Sequence, residues 1–189
     1  HDRGLTLIKP YDDPRVIAGQ ASVGLEIAED AARLGVATAD VLVPCGGGGL
    51  TSGIALALEA HAPGLRVRPV EPVGFDDTGR SLAAGRVLSN AALTGSICDA
   101  IITPQPGDLT FPIMKRLCGP GLTVTDAQAL QAMALAMLRL KIVVEPGGAV
   151  ALAAALFQPG AITGDTVIVV ASGGNTDPDM MARALTTLP

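Results

Sequence analysis

The chain has 189 residues, a net charge of −5, 49% hydrophobic and 16% charged residues, and only 2% aromatics. A chain of this length can bury one core of ordinary domain size, and a mean hydropathy of +0.45 makes it more apolar than an average soluble domain, an excess that fits burial against a partner. The acidic balance excludes a nucleic-acid surface, which needs clustered Lys/Arg with stacking aromatics, and no apolar run approaches the roughly 20 residues that span a bilayer.

Cys45, Cys98 and Cys118 form an odd set without metal-ligand spacing or a disulfide framework, and no secretory apolar segment precedes them. The expected compartment is a reducing cytoplasm.

The chain opens on His1-Asp2-Arg3 with no initiator Met. Leu5-Thr6-Leu7-Ile8 reads as a short β-like run, stopped by the turn-rich Lys9-Pro10-Tyr11-Asp12-Asp13-Pro14. Apolar positions Ile17, Val23, Ile27, Ala28, Ala31 and Leu34 predict a helix over 15–35, closed by Gly35. Val41-Leu42-Val43-Pro44 has the continuous apolar character of a strand buried in a parallel sheet, and it runs straight into Cys45-Gly46-Gly47-Gly48-Gly49. A helix from Leu50 to about His61 and a strand over 66–70 complete a βαβ unit.

Glu71-Pro72 closes that strand, and a polar loop to Thr78 leads to a short helix at 81–84. The stretch 103–121, rich in Pro and Gly, reads as an excursion with a helical turn at 111–117. Helices follow over 126–140, capped by Thr125, and over 149–157 after Glu145-Pro146-Gly147-Gly148. A last buried strand spans 166–170, ends in Ala171-Ser172-Gly173-Gly174-Asn175, and is followed by a helix after Pro178. The expected fold is a single α/β unit, a three-layer open parallel sheet with flanking helices.

Four consecutive glycines between a buried strand and a helix lose much backbone entropy on ordering. The physical return is the convergence of several N–H groups, with the positive end of the helix dipole, on one anion, for which a phosphate is the natural guest. A tight strand-to-helix turn without a ligand is the alternative. A P-loop is excluded, because Gly49 is followed by Leu50-Thr51 where Lys-Ser/Thr is required. A relaxed dinucleotide fingerprint, Gly47, Gly49 and Gly53 with Glu71 at near ribose-binding distance, stays open.

Val43 to Leu50, with Val16-Ile17-Ala18-Gly19-Gln20 before it, resembles the tetraglycine region of the fold-type-II pyridoxal-phosphate enzymes. Glu71 to Asp77, Lys141 to Pro146 and Ser172-Gly173-Gly174-Asn175 are similar to successive motifs of the threonine/serine dehydratase and serine racemase branch, in the same order and across essentially the whole chain. The resemblance implies that residues 1–189 are most of the large, cofactor-phosphate-binding domain of such an enzyme. It places the phosphate of pyridoxal 5′-phosphate on Gly46, Gly47, Gly48, Gly49 and the Leu50 amide.

The resemblance also gives Ser172 the pyridine nitrogen. A neutral hydroxyl there does not hold that nitrogen protonated, and the weaker electron sink suits β-elimination; a serine of a simple turn is the alternative. Glu145 either caps the helix begun by Pro146 or stands near the cofactor, as the family places it. Glu71, Phe75 and Asp77 are spaced so that two carboxylates and one backbone carbonyl converge on a hard cation, where related enzymes hold Mg²⁺ or Ca²⁺; an ordinary solvated turn is the competing reading. Cys45 reads as a small buried apolar residue, and His61, at a helix end, suits the dipole.

No catalytic residue is assigned. Such an enzyme needs a lysine to carry the cofactor, which in this family lies well N-terminal to the glycine loop; only Lys9, Lys115 and Lys141 occur here, none in a setting that activates an amine. The expected parent is a cytoplasmic homodimer acting on a small hydroxy amino acid, L-threonine or L-serine, to give a 2-oxo acid and ammonia. The missing N-terminal part would supply the small domain and the lysine. With no extension after Pro189, a short form lacking an amino-acid-sensing domain is expected. Serine racemisation, 3-hydroxyaspartate dehydration, a dinucleotide-binding oxidoreductase fragment and a non-enzymatic interaction domain remain alternatives.

Overall fold

The computed structural model describes residue 4 and residues 8–188. The β-like run expected at Leu5–Leu7 lies outside the described residues, and Ile8 is exposed and outside any strand. Four parallel strands, β1 (Ala39–Pro44), β2 (Leu65–Pro72), β3 (Leu122–Val124) and β4 (Val167–Val169), are ordered β3-β2-β1-β4. The helices are α1 (Pro14–Arg33), α2 (Gly49–His61), α3 (Asp77–Ala84), α4 (Thr110–Leu117), α5 (Asp126–Leu135), α6 (Pro146–Phe157) and α7 (Pro178–Leu185).

The central strand explains the layers. In β1, Val41 and Val43 pack with Ile54 and Leu58 of α2 and Ala28 of α1, whereas Leu42 joins Met133 of α5 and Ala149, Val150 and Ala153 of α6. Successive side chains of a strand point to opposite faces, so an unbroken apolar run covered by helices on both sides is what a central parallel strand requires. Small residues set the helix spacing. A Cβ at Gly53 would come within 2.6 Å of the Ile17 carbonyl, and one at Gly24 within 2.9 Å of the Ile54 backbone, which is how α1 and α2 cross so closely.

Several elements depart from the sequence expectation. β3 has no counterpart in it; its three residues pair with Val70, Glu71 and Pro72 of β2. The loop expected up to Thr78 is already helical from Asp77, because the Glu71 carboxylate accepts the Thr78 and Gly79 amides at 2.9 and 2.7 Å and so satisfies the first turn of α3. The helix expected over 126–140 is α-helical only to Leu135 and continues as a π-helical turn from Ala136 to Leu140, closed by Lys141 at φ 62°. β4 is not a buried strand. It pairs only with β1, and Val167 is 36% exposed.

At the end of the sheet opposite the glycines, Asp40 binds Arg66 at 2.7 Å and Arg68 at 3.0 Å, and accepts the Thr163 amide at 3.0 Å. Burial alone would raise the Asp40 pKa, but that amide and the two guanidiniums hold it below the ordinary aspartate value. The network ties the turn before β4 to β1 and β2. Removing one partner of a buried pair strands the other charge, so Arg68→Leu should cost about 3 kcal/mol in urea unfolding followed by circular dichroism, while ligand binding at the far end of the sheet is unchanged.

Candidate cofactor-phosphate site

Between β1 and α2 the chain turns through Gly46, Gly47 and Gly48. Gly48 stands at φ 91° as the N-cap residue of α2, a conformation that disfavours any side chain. The loop carbonyls are turned away from the opening. Gly47 O accepts the Thr110 hydroxyl at 2.6 Å and the Gly107 amide at 3.2 Å, and Gly46 O accepts the Thr78 hydroxyl at 3.5 Å. The opposite side of the same peptides is left bare: no amide from Gly46 to Thr51 donates to a described residue. A run of unpaired N–H groups at the positive end of a 13-residue helix is a preformed anion cradle.

The loop opens into a groove lined also by Tyr11, Ile101, Thr103 and Ser172. Sequence alone makes Tyr11 only part of a turn. Its ring lies so close over the Gly47 α-carbon that a Cβ there would overlap it, and Asp12, at φ 53°, fixes the segment by accepting the Leu109 amide at 2.6 Å. Burial, then the nearby Asp12 and Asp77 carboxylates, raise the Tyr11 pKa. Opposite, the Ile101 backbone would meet a Cβ on Gly46 at 3.1 Å.

The structure therefore brings the expected residues Gly46, Gly47, Gly48, Gly49, Leu50 and Ser172 onto one groove. Ser172 is fixed from behind, with its amide 3.4 Å from Gly148 O and its carbonyl where a Cβ on Gly148 would sit. Glu145 occupies the N-cap position of α6 but makes no side-chain cap bond, so the capping alternative does not hold. Its carboxylate rests against Gly173, and its amide donates to Gly173 O at 3.1 Å. The lysines stay apart: Lys9, Lys115 and Lys141 are exposed, and their amines donate to the carbonyls of Asp12, Gly85 and Leu138.

Glu71 and Asp77 are fully buried and Phe75 is 8% exposed, which overturns the solvated-turn alternative. It also removes the dinucleotide reading, because Glu71 lies beneath α3 and cannot reach a ribose. Asp77 Oδ1 accepts the Asn90 amide at 2.6 Å, and Asp77 Oδ2 is buried without a partner. Burial pushes Glu71 up to about 8, the Asp77 carboxylate adding to it against the pull of the Gly79 and Thr78 amides. Burial likewise pushes Asp77 up to about 6, against the Asn90 bond. Among the described residues no three His, Cys, Asp or Glu side chains gather into a metal-binding group. Cys45 is fully buried, and burial pushes its thiol pKa up, consistent with an inert side chain.

A parallel sheet whose central strand ends in an anion cradle, with a serine on the opposite wall, defines the class of a phosphate-bearing-cofactor domain. The chain matches the family described as "Pyridoxal-phosphate dependent enzyme" over residues 1–173 and belongs to it. It is 38% identical to a beta-hydroxyaspartate dehydratase of Paracoccus denitrificans over 95% of this chain and 55% of that protein. It is 35% identical to a serine racemase of Arabidopsis thaliana over 93% of this chain and 53% of that protein. The crystal structure of a T.th. threonine deaminase superposes with a TM-score of 0.87 at 44% identity, covering 93% of this chain and 59% of that one. The chain thus spans about half the length of the curated relatives it matches.

The buried carboxylates set a pH dependence. Their folded pKa values, about 8 and about 6, lie above the ordinary values of 4.5 and 3.8, so their contribution to stability is present in acid and is lost as pH rises through the folded values. The melting temperature of the cation-free chain should fall between about pH 5 and about pH 8, and Glu71→Gln should flatten that slope. A wild-type melting temperature that rises over this range would contradict the burial of the pair.

Proposed function

We propose that the chain is most of the large domain of a homodimeric, cytoplasmic pyridoxal-phosphate-dependent ammonia-lyase that converts L-threonine or L-serine to a 2-oxo acid and ammonia. The observation that carries this reading is the row of unpaired amides from Gly46 to Thr51 sharing a groove with Ser172. Bound there, pyridoxal phosphate supplies an electron sink for the α-carbon of an amino acid. The amides would hold its phosphate and the Ser172 hydroxyl would meet its pyridine nitrogen, with Glu145 beside the Ser172-Gly173 turn. Serine racemisation and 3-hydroxyaspartate dehydration form a second reading, favoured by the two curated relatives.

The lysine and the substrate pocket would come from an N-terminal part of the parent chain. The surface left for it is the free edge of β4 and the largely apolar groove that Val167 and Ile168 form with Val23 and Ile27 of α1 and Leu34 at its C-terminus, rimmed by Glu26 and Asp30. Leu34 is 68%, Leu140 57% and Val143 55% exposed, and Leu140 and Val143 lead into Glu145. Open strand edges flanked by apolar residues call for a cover, and the relatives carry the extra length to provide it. A reducing compartment keeps Cys45, Cys98 and Cys118 as the free thiols seen here.

The Glu71 and Asp77 carboxylates, with the Phe75 carbonyl, would hold Mg²⁺ or Ca²⁺. The support is the unpartnered Asp77 Oδ2 and the burial that makes ionisation of both groups unfavourable until a cation neutralises them.

Tyr11 is the only tyrosine, and the chain has no tryptophan, so its emission reports on the groove directly. Pyridoxal phosphate should quench it with an affinity near millimolar, about −4 kcal/mol, and pyridoxal lacking the phosphate should not. Gly48→Val should abolish the quenching, because it forces a β-branched residue into φ 91°. The same samples should release no ammonia from L-serine or L-threonine. Equal quenching by pyridoxal, or ammonia release by the 189-residue chain, would overturn the reading.

A further inference from the structure

Asn90 lies in the loop after α3, and sequence gives it no role. Its side chain meets three residues in two parts of the molecule, Asp77 and Arg80 of α3 and Thr103 of the loop beyond. Nδ2 donates to Asp77 Oδ1 at 2.6 Å and to Thr103 O at 2.9 Å, and Oδ1 accepts the Arg80 guanidinium at 2.7 Å. The orientation of the amide is fixed by chemistry, since a guanidinium only donates and a carboxylate and a carbonyl accept. The Asn90 backbone amide adds a bond to Pro104 O at 2.8 Å. Arg80 in turn holds Asp76 at 3.2 Å.

These contacts join the buried carboxylates to one wall of the groove. Thr103 and Ile101 line it, and the Ile101 backbone packs on Gly46. Asp77 Oδ2 and Thr103 Oγ1 are both buried and unpartnered, so the two residues that accept from the Asn90 amide each carry an unsatisfied side-chain oxygen. A second route exists from Glu71 through the Thr78 amide to Gly46 O, but its last bond is 3.5 Å long. At 2.6 and 2.9 Å the Asn90 bonds are the stronger path.

We propose that Asn90 is the positioning residue through which a divalent cation at Glu71 and Asp77 sets the wall of the phosphate groove. This rests on the cation and cofactor readings above. A cation drawn to Oδ2 reorients the Asp77 carboxylate; the Asn90 amide follows Oδ1 and carries the Thr103 carbonyl, and with it the loop that faces Gly46. Because such coupling is reciprocal, the cofactor phosphate strengthens cation binding by the same factor.

Quenching of Tyr11 by pyridoxal phosphate is titrated with and without saturating Mg²⁺, in the wild-type chain and in Asn90→Ala. In the wild type Mg²⁺ should lower the apparent Kd about fivefold, the low end of ordinary coupling. In Asn90→Ala, Mg²⁺ should still raise the melting temperature, and pyridoxal phosphate should still quench, but the effect of one on the other should vanish. A residue needed only for folding would lower both binding events and leave their ratio intact. Should Asn90→Ala not fold, the wild type decides alone: Mg²⁺ should shift the backbone amide resonances of Ile101, Ile102 and Thr103. Coupling that survives in Asn90→Ala, or Mg²⁺ shifts confined to residues 71–80, would overturn the proposal. Quenching that is identical with and without Mg²⁺ would overturn it while leaving the cofactor reading in place.

Discussion

The peptide groups of Gly46 and Gly47 can face only one way, and much of the molecule follows from that orientation. Their carbonyls are claimed by Thr110, Gly107 and Thr78, from α4, the loop before it and α3. Had those acceptors been left to the loop itself, its amides would have closed a helical turn. Held as they are, the N–H groups from Gly46 to Thr51 have no acceptor among the described residues, and the residues that bear them line a groove at the positive end of α2. A buried polar group without a partner is costly, so the row of donors left open at one place is what supports the proposal that an anion fills it.

The rest of the architecture serves that row. β1 is covered on both faces and anchored at its far end by the Asp40, Arg66 and Arg68 network, so its last residues cannot drift. Gly148 lets the Ser172 backbone approach α6 closely enough to share the groove. The acidic pair lies beneath α3, where Glu71 orders the first turn that carries Thr78. Glu71 on β2 therefore orders the start of α3, and Thr78 on that first turn supports the loop carbonyl at Gly46.

Sequence patterns expose what depends on composition and spacing, and hide what depends on contacts between distant segments. The run Val41–Val43, the glycines after it and the Ala/Leu-rich α2 announce a buried parallel strand and a candidate anion loop, whereas Ser172, after the last strand, is singled out only by the family resemblance. β3 escapes notice because three residues carry too little periodicity. The helical start at Asp77 is hidden because its cap is the side chain of Glu71, on a neighbouring strand. The exposure of β4 is missed because Val-Ile-Val reads the same in an edge as in a centre. Asn90 gives no signal, being a lone polar residue in a loop. Tyr11 gives a weak one, as the only tyrosine in the chain, set beside the motif that leads to Gly19-Gln20.

The central claim is that the amides of the glycine loop hold the phosphate of the cofactor, and backbone amide resonances of the isotopically labelled chain test it residue by residue. On titration with pyridoxal phosphate, the largest shifts should fall on Gly46 to Thr51, with the same set responding to inorganic phosphate and Ser172 responding only to the cofactor. Shifts confined to the neighbourhoods of Lys9, Lys115 and Lys141, with the glycine loop unmoved, would contradict it.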